Sequence, residues 1–207
     1  MLKSYFEKEF EKISIEIGII FSKFGISPNV WTILALIPSL IGFFALYYGN
    51  LLTGTFFFII SGIIDAIDGA VARVTKSVSN LGAFLDGIID RYVEIIMYLA
   101  IWFYLQRHSE ISTSISSFWI ILLIFGAMMP SFVRAYAHHR NVVIDAEDQK
   151  RMGGLIERYE RLDLLYLGMI LGYFNIRWLL YMIAIVAILS NWTALQRISF
   201  VVGYKSK

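Results

Sequence analysis

Apolar runs of about twenty residues recur along this chain, and the solvent that suits such runs is the hydrocarbon of a bilayer. Crossing a core ~30 Å thick takes about 20 helical residues, and the backbone polar groups must be satisfied inside the segment. Six runs qualify, at 29–48, 52–72, 81–105, 115–136, 162–174 (extended toward 178) and 178–195. With 58% apolar and only 16% charged residues, little is left from which to build a soluble appendage. The fold expected is all-α: an integral membrane bundle of six transmembrane helices over 27–198. It forms one domain over 1–207, with no nucleic-acid partner expected. The absence of cysteine excludes disulfides and thiolate metal sites.

Residues 1–26 precede the first run and have a different pattern. Phe6, Phe10, Ile13, Ile17, Ile20 and Phe24 recur at steps of three and four, while Lys3, Lys8, Glu9, Lys12 and Glu16 fall on other faces. The spacing predicts an amphipathic helix lying at the membrane interface, or else packed on the protein itself. Gly25 and Pro28 supply a stop and a new start. Lys and Arg cluster before the first run, at Arg73 and Lys76, between Arg134 and Arg161, and at Arg197, Lys205 and Lys207. The opposite loops carry only Arg107 and Arg177. Positive-inside logic therefore places both termini, and the turn near Arg73, on the cytoplasmic side of a cell membrane.

Four aspartates interrupt this apolar background. Asp65 and Asp68 are three apart near the end of the second run, and Asp86 and Asp90 are four apart near the start of the third. A carboxylate inside a bilayer costs about 2.5–3.5 kcal/mol on insertion scales, so something cationic or functional must answer each one. At these spacings each pair projects from one helix face. The short polar segment Thr75-Lys-Ser-Val-Ser-Asn80 predicts a hairpin that brings the pairs together. Converging carboxylates repel, and hard divalent cations relieve that repulsion. Oxygen ligands without His or Cys favour Mg²⁺, Mn²⁺ or Ca²⁺, and two bridged ions suit displacement at phosphate. Gly69, Ala70, Ala72, Gly82 and Gly87 thin the adjoining faces, and Arg73 offers a fork for phosphate oxygens.

The pattern Asp65-x2-Asp68-Gly69-x2-Ala72-Arg73-x8-Gly82-x3-Asp86-x3-Asp90 resembles the signature of the CDP-alcohol phosphotransferase family at every defined position. The resemblance implies a homodimeric membrane enzyme of phospholipid biosynthesis that uses two Mg²⁺ or Mn²⁺ ions. Such an enzyme transfers a phosphoryl-linked group from a CDP-alcohol to a second alcohol and releases CMP. It further implies that Asp65, Asp68 and Asp86 hold a first ion, and that Asp65, Asp86 and Asp90 serve a second. Asp90 would also be the base that takes the acceptor's proton. Gly69 and Arg73 are similar to nucleotide and diphosphate contacts, with Ser79 a further donor and Pro28-Asn29-x2-Thr32 another donor-substrate segment.

For the acceptor, the stretches 130–137 and 154–162 resemble phosphatidylinositol phosphate synthases and their archaeal ether-lipid counterparts. That resemblance implies inositol 1-phosphate, its phosphate held by Arg134, Arg158 and Arg161, with Lys150 or Arg151 as further candidates. Glycerol 3-phosphate as acceptor, or CDP-inositol as a soluble donor for a di-inositol phosphate phosphate product, remain alternatives within the same chemistry. Intramembrane carboxylates also mark divalent-cation or proton transporters, but the first, fourth and sixth runs offer few polar residues for a path. Asp145-Ala-Glu-Asp148 is expected as a solvated loop, and His138 and His139 as loop residues rather than ligands.

Overall fold

The computed structural model describes residues 2–204, with side chains from residue 12 onward. The side chains of Lys3, Phe6, Lys8, Glu9 and Phe10, and all of Lys205 and Lys207, lie outside the described residues. Helix is the dominant structure of the described residues, which contain no strand. They form two compact units, 1–100 and 101–207.

The first unit holds α1 (Leu2–Ser22), α2 (Pro28–Leu34), α3 (Leu36–Tyr47), α4 (Leu51–Val74) and the first part of α5 (Asn80–His108). The first apolar run is thus two helices that meet at Ala35. Pro38 has no N–H to offer the Leu34 carbonyl, and Ser61 of α4 donates to the Ala35 carbonyl at 2.7 Å. α3 then packs closely on α4 through glycines. A Cβ on Gly42 would lie 3.1 Å from the Gly54 carbonyl oxygen, and one on Gly54 would strike Leu46. Small residues of this kind let helix backbones approach where no hydrophobic effect draws them together.

α1 lies on the other end of α4. Gly18 and Ser14 face α4, while Ile13, Ile20 and Phe24 of the expected apolar stripe are exposed. α4 ends in a Schellman turn: Ser77 N donates to Ala72 O and Lys76 N to Arg73 O, with Lys76 left-handed at φ 53°. Ser79 then caps α5 by accepting from Gly82 N at 3.0 Å. Two caps back to back make the hairpin that the polar segment implied.

The second unit contains the rest of α5, α6 (Thr113–His139), α7 (Ala146–Arg151), α8 (Arg158–Phe174) and α9 (Ile176–Gly203). α6 and α9 meet at Gly126, where a Cβ would sit 2.5 Å from Asn191 Nδ2. That amide instead donates to the Leu122 and Ala187 carbonyls. The acidic stretch expected as a loop is the start of α7: Asp145 caps it, accepting from Glu147 N, with Lys150 and Arg151 in its last turn. Tyr204 donates to Asp148 at 2.8 Å, a bond that pushes the phenol's pKa up by favouring its protonated form.

Arg197, counted in the sequence among the cations of the cytoplasmic side, is 5% exposed and acts as a crosslink. Its Nε donates to Gly153 O (3.1 Å), its Nη1 to Pro130 O (2.9 Å), and its Nη2 reaches Glu157 at 3.5 Å. The Gly153 carbonyl, which lies outside any helix, gains a charged donor in this way, and the Pro130 carbonyl of α6 takes another.

Among the described residues, four segments are long and apolar enough to cross a membrane: Pro28–Tyr47, Leu51–Val74, Thr113–His139 and Ile176–Gly203. α5 and α8 coincide with the two other runs but carry more charge. α5 holds Asp86, Asp90, Arg91 and Glu94, and the 17-residue α8 holds Arg158, Glu160, Arg161 and Asp163. Replacing Arg197 with Ala should lower the unfolding free energy by about 2–3 kcal/mol, because buried carbonyls lose a charged donor. Thermal unfolding in detergent would register this as a lower midpoint; an unchanged midpoint would refute the crosslink.

Candidate active site

Asp65 and Asp68 project from the same side of α4, near its C-terminal end, because they are three residues apart on an unbroken helix. The hairpin brings Asp86, in the second turn of α5, against them. One carboxylate oxygen from each of the three lies within 4.8 Å of the others. Asp65 and Asp68 are 8% and 6% exposed, and Asp86 is half-buried. Thr32 of α2 donates its hydroxyl to Asp68 Oδ2. A neutral donor orients a carboxylate but does not remove like-charge repulsion at this range. An all-oxygen cluster of three acids has the donor chemistry of a hard divalent cation, and no nitrogen or sulfur to favour zinc or copper. Asp90 lies one turn beyond Asp86, also buried at 8%, outside this group of three.

Beside the carboxylates is a cavity of about 220 Å³ whose wall includes Asp68 and Asp86. All five residues expected to contact the donor substrate, Asn29, Thr32, Gly69, Arg73 and Ser79, line it. Glycines shape it. A Cβ on Gly82 would stand 3.2 Å from both Asn29 Oδ1 and Ser79 Oγ, and one on Gly69 would stand 3.4 Å from Arg73 Nη1. Polar atoms can therefore crowd against bare backbone on both helices. Cavity, carboxylates and guanidinium all belong to the first unit.

The three arginines expected at the acceptor phosphate belong to the second unit. Arg134 Nη2 donates to Met152 O at 3.0 Å, and its side chain lines a separate cavity of about 300 Å³ with Ser131, His138 and Gln149. Arg158 stacks over Tyr159, 5.6 Å from the ring centroid. Arg161 is 3% exposed. Of the further candidates, Arg151 pairs with Asp148 at 3.3 Å on the surface, and Lys150 is exposed. His138 and His139 are not loop residues: α6 runs through both, and its 3.6-residue repeat puts His138 one turn beyond Arg134.

Sequence reasoning passed over two polar groups near the site. Glu94, 2% exposed, takes Arg91 at 2.5 Å and the Tyr98 hydroxyl at 2.8 Å, so the cation inside the third run is answered on its own helix. A glutamate four residues beyond Asp90 in an apolar run was the available signal. Ser14 accepts from Arg73 at 2.6 Å, and nothing in the sequence pointed to it.

Residues 25–204 match the CDP-alcohol phosphatidyltransferase family, and the chain belongs to it. It is therefore a membrane transferase acting on substituted phosphate groups. Among its relatives, an uncharacterised protein of Aquifex aeolicus is 30% identical over 83% of this chain and 80% of its own length. The archaetidylinositol phosphate synthase of Aeropyrum pernix is 26% identical over 98% and 95%. A crystal structure of Mycobacterium tuberculosis phosphatidylinositol phosphate synthase with manganese and citrate superposes with TM-score 0.79 at 24% identity. It covers 92% of this chain and 89% of that one, a likeness of fold.

The carboxylate cluster should invert the effect of a substitution with conditions. Without divalent cation, Asp86→Asn should raise the thermal midpoint by a few degrees by relieving repulsion. In millimolar Mn²⁺ the wild type should gain stability and the variant should not, since only an ion bound to the folded state stabilises it. Equal Mn²⁺ shifts in both proteins would remove Asp86 from the site.

Proposed function

We propose that this protein transfers a phosphatidyl-type group from a CDP-linked lipid, CDP-diacylglycerol or CDP-archaeol, to inositol 1-phosphate and releases CMP. The observation that carries the reading is the convergence of Asp65, Asp68 and Asp86 beside a cavity that Arg73 also lines. The acceptor is favoured by the relatives: one is an archaetidylinositol phosphate synthase, and the structural neighbour is a phosphatidylinositol phosphate synthase.

In this mechanism Arg73 grips the donor's diphosphate, and Asn29, Thr32 and Ser79 supply polar contacts to the nucleotide. Gly69 and Gly82 let it approach the backbone. Arg134, Arg158 and Arg161 hold the acceptor's phosphate, their guanidinium forks matching its oxygens. Asp90 takes the proton from the acceptor hydroxyl, whose oxygen attacks the lipid-bearing phosphorus. A phosphorus–oxygen bond to the acceptor forms while the diphosphate bridge breaks, and CMP leaves with the bridging oxygen. Two Mg²⁺ or Mn²⁺ ions, held by Asp65, Asp68 and Asp86 and by Asp65, Asp86 and Asp90, would neutralise charge on the diphosphate and on departing CMP.

Around this centre we place a six-span bundle in which α5 and α8 also cross. α1 lies at the interface, both units work as one domain, and the enzyme is a homodimer with active site and termini facing the cytoplasm. Charge in α5 and α8 is tolerable there because intramembrane ionisable groups persist where they face a site or one another.

Purified protein given Mn²⁺ and CDP-diacylglycerol should release CMP with inositol 1-phosphate several-fold faster than with glycerol 3-phosphate, free inositol or serine. Faster release with glycerol 3-phosphate would reassign the acceptor. In the same assay Asp90→Asn should lose at least about 10²-fold in rate, the scale of a general base. A near-normal rate would remove it from that role.

A further inference from the structure

The guanidinium of Arg73 is divided between two neighbours. Its Nη2 donates to Ser14 Oγ of α1 at 2.6 Å, across 59 residues of sequence. Its Nη1 lies near Gly69, 3.4 Å from where a Cβ there would stand. One amino group is anchored, and the other is held over bare backbone at the cavity wall. α1 reaches Arg73 because of a glycine one turn beyond the serine. A Cβ on Gly18 would sit 2.5 Å from the Ala70 carbonyl oxygen and 2.7 Å from Val74 Cγ2. The carbonyl belongs to α4 and cannot swing aside, so only glycine lets α1 lie this close. Ser14 and Gly18, four apart, share one face of α1, and that face ends on the arginine.

An arginine on a flexible stem must give up many rotamers to grip a diphosphate, and an anchor that fixes it beforehand removes that loss from binding. We infer that Ser14 is a positioning residue for the donor substrate: α1, seated by Gly18, holds the Arg73 guanidinium in place for the diphosphate of the CDP-linked lipid. The inference rests on the reading of Arg73 as the diphosphate contact. The carboxylates and the acceptor are not involved, so the effect should appear in donor affinity alone.

The test compares Ser14→Ala, Ser14→Thr, Gly18→Leu, Arg73→Ala and the Ser14→Ala/Arg73→Ala pair in the full-length protein. Kd for CDP-diacylglycerol is measured by calorimetry, and KM for both substrates by CMP release. Ser14→Ala should weaken donor binding about three- to tenfold with kcat and acceptor KM within about twofold, and Ser14→Thr should restore it. Gly18→Leu should weaken donor binding at least as much. In the pair, loss of Ser14 should add nothing to loss of Arg73, because the serine acts through the arginine. Additive losses, or an unchanged donor Kd in Ser14→Ala while Arg73→Ala is impaired, would overturn the positioning role. Normal donor binding in Arg73→Ala would instead overturn the reading of Arg73 itself.

Discussion

Three carboxylates held within 4.8 Å of one another, two of them almost fully buried, set the terms for the first half of this molecule. Such a cluster is unfavourable on its own, since each charge resists desolvation and each repels the others. It persists because its scaffold is stiff. Asp65 and Asp68 sit on a 24-residue helix, α4, closed by a Schellman turn. Asp86 follows a serine cap that starts α5 within a few residues. The surroundings serve the same end: Thr32 orients Asp68, Ser61 and Pro38 bend the first run so that α2 lies over α4, and Gly18 draws α1 against it.

The second unit solves a different problem with similar means. Its helices are apolar outside and are pinned by a few polar groups inside. Arg197 collects the Pro130 and Gly153 carbonyls, Thr193 takes the Ile156 N–H at 3.1 Å, and Asn191 bridges two helices. In a bilayer such bonds replace part of what hydrophobic burial does in water. The segment between α7 and α8 is thereby tied to α9 through Leu155 and Ile156. That segment leads into α8, which begins at Arg158, a residue we propose for acceptor binding.

Much of this was legible in the sequence. The apolar runs fall on α2–α3, α4, α5, α6, α8 and α9, although α9 continues to Gly203, well past the end of the last run. The spacing of the acids with the short polar turn pointed to the hairpin and to three of the four acids it brings together, Asp90 lying outside the group. What escaped notice depends on tertiary partners. The break at Ala35 arises from a serine 26 residues away, so Pro38 alone did not fix its place. Arg197 reads from sequence only as one more cation of the cytoplasmic side, and it is the carbonyls around it that make its burial tolerable. Ser14 has no pattern of its own; its importance comes from the close approach that Gly18 permits. α7 differs, since its signals are local and present in the sequence: Asp145 as cap, acids in the first turn and bases in the last.

The account rests on a divalent cation bridging α4 and α5. Anomalous diffraction at the manganese edge, from crystals grown in Mn²⁺, tests this most directly. The expected map has a peak within coordination distance, about 2–2.5 Å, of carboxylate oxygens from Asp65, Asp68 and Asp86. A map with no peak there, and with the three side chains turned away from one another, would contradict it.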